Sequence, residues 1–161
     1  MIIDIETGGL EPLTDAISCI CIMKNNGVFL TFCGDNERTL LTEFWEGVDN
    51  NEEWIGFNSS SFDIPFIIKR SLINNIRMKK IGKSTDLRLI VNGFFYSYEK
   101  KTHGKLDDWC TILGCQNKVE NGLKMVEYFQ NKEFDKIKEH CEYDIKLTKL
   151  LYERCKECNL I

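Results

Sequence analysis

Isoleucines at 2, 3 and 5 surround Asp4 and Glu6, and the run stops at Gly8-Gly9. This pattern predicts a short strand over 2–6, ended by a conformationally permissive pair. Two β-rich runs follow, AISCICIMK (16–24) and GVFLTFC (27–33), divided by Asn25-Asn26. They predict a hairpin that the first strand joins as an antiparallel meander. Leu40, Leu41, Phe44, Trp45 and Val48 then recur at helical spacing over 37–48. EWIGF (53–57) predicts a buried strand, and from Asp63 to about Asn74 the pattern turns helical, with Pro65 tolerated in the first turn.

Ser84 to Asp86 predict a last short strand, followed by helical segments near 87–96, 105–114 and 121–130. Over 133–157, Phe134, Ile137, Cys141, Ile145, Thr148, Leu151 and Cys155 fall three or four residues apart, as on a long amphipathic helix. Asp144 belongs to that helix. The sum is an α/β mixed sheet, a three-strand antiparallel meander plus one or two further strands, flanked by helices. The 161 residues suit one domain, 1–161, and contain no linker, low-complexity tract or repeat.

Composition narrows the setting. No apolar run is long enough to cross a bilayer, and MIIDIETGG lacks the basic start and apolar stretch of a signal peptide. The expectation is a cytoplasmic, reducing compartment without membrane attachment. Eight cysteines sit inside apolar-patterned segments, so they read as reduced, mostly buried thiols rather than a disulfide framework. Cys155 and Cys158 form a CxxC that is half of a zinc site or simply two thiols on a C-terminal helix.

The net charge of −4 does not advertise nucleic-acid binding, but its distribution is uneven. Residues 1–68 hold 2 basic and 12 acidic side chains, whereas 69–105 hold 10 and 2. Lys69, Arg70, Arg77, Lys79, Lys80, Lys83, Arg88, Lys100, Lys101 and Lys105 form this band, interleaved with Phe94, Phe95, Tyr96 and Tyr98. Phosphate contact with base stacking uses such a mixture, and a solvated surface over aromatic core residues has the same composition.

Candidate chemistry lies in the acids. Asp4 and Glu6, two apart on a strand, share one face, and two carboxylates there can bracket a cation. Asp63 lies between Phe62 and Ile64 at a predicted helix start, where an acid also complements the helix dipole. His140 and Asp144 are four apart and occupy one helix face, as an ordinary solvent-side pair also does.

Set in order, these segments resemble the DEDD family of 3′-to-5′ exonucleases, which are ribonuclease-H-like enzymes. DIETGGL is similar to the family's first motif, with Asp4 and Glu6 as its D-x-E pair. NSSSFD is similar to the second, through Asn58, Phe62 and Asp63, and HCEYD to the third, through Asp144. KLDDWCTILG (105–114) and Lys118 also resemble a family segment between motifs two and three. One position departs from the pattern. The tyrosine branch has Tyr, three residues, then Asp, and the histidine branch has His, four residues, then Asp. Here His140 stands at the tyrosine spacing and Glu139 occupies the histidine position. His140 therefore reads as a replacement for the tyrosine, since Tyr143 points about 100° away on an ideal helix.

The resemblance implies two divalent cations, Mg²⁺ or Mn²⁺, held by Asp4, Glu6, Asp63 and Asp144, with His140 orienting or deprotonating the attacking water. It implies that Thr7 and Leu10 contact the terminal nucleotide and that Asn58 and Phe62 support the strand. As residue types alone, a turn leucine is commonly a core anchor and an asparagine a turn former. The implied partner is a single-stranded DNA or RNA 3′ end, with a polymerase or replication factor as a further partner. Competing readings are a catalytically inactive binding module of the same fold, a ribonuclease-H-like endonuclease, and a zinc-centred protein built on Cys155 and Cys158.

Overall fold

The computed structural model of the chain describes residues 1–50, 52–93, 104–115 and 123–161. Its strands are β1 (Ile2–Thr7), β2 (Ile17–Met23), β3 (Phe29–Cys33), β4 (Trp54–Gly56) and β5 (Ser84–Asp86). The helices are α1 (Glu37–Gly47), α2 (Asp63–Ile73), α3 (Leu87–Asn92), α4 (Leu106–Ile112), α5 (Leu123–Gln130) and α6 (Phe134–Glu157). All five strands form one sheet in the order β3-β2-β1-β4-β5. β1, β2 and β3 pair antiparallel, while β4 and β5 join β1 in parallel. The predicted meander and the two further strands, which pair in parallel, are therefore one mixed sheet with β1 at its centre.

Strand alternation sorts the core onto two faces. Ile3 and Ile5 of β1, with Ile20 and Ile22 of β2, pack under α1 and α2 against Leu41, Phe44, Trp45, Phe66 and Ile67. Ile2 of β1 and Cys19, Cys21 and Met23 of β2 face the opposite side, against Ile137, Cys141 and Ile145 of α6. Asp4 and Glu6 share the parity of Ile2, so β1 presents them toward α6. A register shift between Glu6 and Thr7 moves the pairing from Cys19 to Ile17, which returns Ile17 to the α1 face.

Predicted boundaries move little. The helix expected over 87–96 ends at Asn92, where Gly93 adopts a φ of 59°, and 94–96 lie outside the described residues. So do Phe95, Tyr98, Lys100, Lys101 and Lys118. All eight cysteines are free, as expected of reduced thiols. Among the described residues no helix is long and apolar enough to cross a membrane.

The basic band divides. Arg70 is buried and grips Glu37 of α1 with two hydrogen bonds, Nε to Oε1 at 2.8 Å and Nη2 to Oε2 at 2.6 Å. Lys79 donates to the carbonyls of Glu46 and Val48, and Lys83 pairs with Glu53 at 2.9 Å. Arg70 and Lys79 are drawn into the structure, whereas Lys83, in its surface pair, is exposed like Lys69, Arg77, Lys80 and Lys105.

Candidate active site

Three parallel strands deliver their C-terminal ends to the same edge of the sheet, the usual location of ligand sites in open α/β folds. Glu6 lies near the end of β1, Asp63 follows the loop after β4, and Asp86 ends β5. Helix α6 crosses this edge with His140 and Asp144 on its inner side, one turn apart. Glu139 is exposed on the same helix while His140 is 9% exposed, so the helix turns the histidine inward and the glutamate to solvent.

Three of the predicted residues converge. His140 Nε2 lies 3.4 Å from Glu6 Oε1 and 3.9 Å from Asp144 Oδ2. Donor atoms of Glu6, His140 and Asp144 all fall within 4.8 Å of one another. Asp63 Oδ1 accepts the Ile5 backbone N–H at 3.0 Å, which ties the start of α2 to the middle of β1. Asp4 Oδ2 accepts from the Cys141 thiol at 3.4 Å, which ties β1 to α6. Asp63 and Asp4 are thereby tied to β1 and α6, the two elements that bring Glu6, His140 and Asp144 together.

Electrostatics show the cost of this gathering. Burial, opposed in part by its backbone hydrogen bonds, pushes the Asp63 carboxyl up to about 7, with the charges of Asp86 and Asp144 adding to the rise. A bound cation relieves such a penalty. The donor set is oxygen-rich with one imidazole, so it fits a hard divalent ion of the Mg²⁺ or Mn²⁺ type. Tyr143 faces elsewhere: its hydroxyl lies 3.8 Å from Cys110 Sγ of α4, and burial pushes it up to about 12.

The four residues assigned to substrate are placed less uniformly. Thr7 is buried and donates its hydroxyl to Gly9 O at 2.6 Å, shaping the turn after β1. Gly8 sits so close to α5 that an added Cβ would lie 2.8 Å from the Phe129 ring, which requires glycine there. Leu10 is 83% exposed, so it is not a core anchor. Asn58 adopts a φ of 66°, a conformation asparagine tolerates better than most residues, and its side-chain oxygen accepts from Arg88 Nη1. Phe62 is partly buried, its ring 5.3 Å from that of Phe66.

Two residues escaped the sequence reading. Asp86 is buried and accepts from Asn58 N at 2.8 Å, Ser60 N at 3.0 Å, Ser60 Oγ at 2.5 Å and Arg88 N at 3.0 Å. One carboxylate therefore fixes the loop that carries Asn58 and leads to Asp63. Its signal was an Asp between a short strand and a helical run, the position of an N-cap. Arg70, read as part of a basic band, also donates to Pro12 O at 3.2 Å and so restrains the loop that bears Leu10.

This mixed sheet, with an acid pair on its central strand facing an acid-bearing helix, defines a ribonuclease-H-like α/β fold of the polymerase-exonuclease type. Residues 14–159 match the family described as "Predicted 3'-5' exonuclease related to the exonuclease domain of PolB", and the chain belongs to that family. The matched span includes Asp63, His140 and Asp144 and begins after Asp4 and Glu6. The fold is shared with the family B DNA polymerase of the hyperthermophilic archaeon Pyrobaculum calidifontis, at a TM-score of 0.74 and 20% identity. That likeness covers 96% of this chain and 24% of the polymerase chain. No curated protein matches the sequence.

Proposed function

We propose that the chain is a metal-dependent 3′-to-5′ exonuclease that hydrolyses the terminal phosphodiester of single-stranded DNA or RNA and releases nucleoside 5′-monophosphates. The observation that carries this reading is the convergence of Glu6 on β1 with His140 and Asp144 on α6, with Asp4 on β1 tied to α6 and Asp63 at the start of α2 tied to β1. Asp4, Glu6, Asp63 and Asp144 would hold two divalent cations, Mg²⁺ or Mn²⁺. When bound, such ions supply Lewis-acid stabilisation of the charge developing on the attacking and leaving oxygens.

The chain's own residues supply the rest. His140 Nε2 faces the acidic pocket and takes the proton of the attacking water, a role that suits an imidazole near neutrality better than a phenol. Glu6 and Asp144, at 3.4 Å and 3.9 Å, stabilise the imidazolium that results. Hydrolysis joins the water oxygen to phosphorus and breaks the bond to the 3′ oxygen, leaving a strand shorter by one nucleotide. Leu10 is exposed beside the Gly8-Gly9 turn and is available to pack on a terminal base, with Thr7 shaping that turn. Asn58 and Phe62 flank the approach to Asp63 and support the strand. The partial likeness to a DNA polymerase supports a polymerase or replication factor as a further partner.

Matched 3′-labelled and 5′-labelled DNA and RNA strands test the reading. Mg²⁺ or Mn²⁺ should yield labelled mononucleotide at once from the 3′ label and a descending ladder from the 5′ label. Internal fragments would instead assign an endonuclease, and intact strands an inactive binding module.

A further inference from the structure

Cys19 and Cys21 of β2 and Cys141 of α6 bring their sulfurs within 4.8 Å of one another, and all three side chains are buried. Pleating explains the two on β2, because alternate residues face α6. Among the described residues, this and the Glu6, His140 and Asp144 group are the two places where three such ligand atoms gather. Cys155 and Cys158, the pair that suggested zinc from sequence spacing, belong to neither.

We propose that Cys19, Cys21 and Cys141 form a thiolate site for zinc, with an oxygen donor in the fourth position. Tetrahedral zinc with Zn–S bonds of about 2.3 Å and a Zn–O bond of about 2.0 Å sets S···S edges near 3.8 Å and S···O edges near 3.5 Å. The sulfurs need to close by at most about 1 Å to reach that first edge. Asp4 Oδ2 lies 3.4 Å from Cys141 Sγ, and Cys33, the cross-strand neighbour of Cys19, donates its thiol to Phe134 O at 3.6 Å; neither joins the group whose donor atoms all lie within 4.8 Å of one another. Zinc binding would release the thiol protons to solvent. The ion would cross-link β2 to α6. The site itself does not depend on the exonuclease reading.

Zinc content of the full chain, purified without added metal and then reconstituted with Zn²⁺, tests it. We expect about one zinc per chain bound through thiolates, and zinc-edge X-ray absorption that reads three sulfur neighbours and one oxygen. Cys21→Ala, checked for folding by circular dichroism, should lose at least nine-tenths of that thiolate-bound zinc, about a tenfold drop. A Cys155→Ala, Cys158→Ala double variant should keep it. A folded wild type with no thiolate-bound zinc, an absorption shell of nitrogen and oxygen alone, or loss only in the double variant would overturn the assignment.

Discussion

Asp63 combines the demands of fold and chemistry in one side chain. It accepts the Ile5 N–H and so ties α2 to β1, yet burial raises its carboxyl from an ordinary 3.8 to about 7. Below the lower value both folded and unfolded chains carry it neutral. Between the two, the unfolded chain ionises while the folded chain keeps its proton, so stability falls as pH rises and the full cost is present above about 7. Thermal melts of metal-free protein should therefore show a decline through this window that Asp63→Asn removes and saturating Mg²⁺ reduces. Identical pH curves for wild type and Asp63→Asn would contradict the assignment. At His140, the burial and the 3.4 Å approach to Glu6 support a proton-handling role. His140→Ala should lower turnover at least about tenfold with little change in melting temperature. Near-normal turnover in that variant would remove the role.

At the scale of elements, the acids were legible where periodicity carries chemistry. Asp4 and Glu6 alternate with core isoleucines, and His140 and Asp144 repeat at the helical interval beside Ile137, Cys141 and Ile145, so their faces followed from pattern. What spacing could not show was long-range pairing between isolated polar residues. Asp86 looked like the end of a short strand, but it holds the 58–60 loop through three hydrogen bonds and caps α3 with a fourth, from Arg88 N. Asp86→Ala should cost about 1–3 kcal/mol by leaving the part-buried Asn58, Ser60 and Arg88 amides without this acceptor, measured by urea unfolding. It should also reduce turnover, because the loop leads directly to Asp63. Arg70 was misread for a related reason: charge counting cannot distinguish an exposed cation from one paired with Glu37. Arg70→Ala leaves the Glu37 carboxylate, 10% exposed, with the Ile17 N–H and the Asn74 amide as its remaining donors and should destabilise by about 1–3 kcal/mol. A loss below about 1 kcal/mol would place the pair among surface ion pairs.

Across the whole molecule, the mixed sheet and its two-sided core followed from alternation, turn residues and one long amphipathic helix. The strand order did not, because β4 and β5 hold only three residues each and pair through contacts distant in sequence. The molecule's charge also resolves only in three dimensions. With Arg70 and Lys79 engaged, Lys69, Arg77, Lys80, Lys83 and Lys105 are exposed cations among the described residues that can meet a phosphate backbone. Catalytic efficiency on a single-stranded oligonucleotide should fall from low to moderate salt, and a flat response would exclude the band as the substrate path. The most direct test of the central claim is mononucleotide release from a 3′-labelled single strand, compared between wild type and Asp4→Ala with and without Mn²⁺ or Mg²⁺. The account predicts nucleoside 5′-monophosphate only from the wild type and only with metal. Release that persists in Asp4→Ala or without metal, or none from folded, metal-loaded wild type, would contradict it.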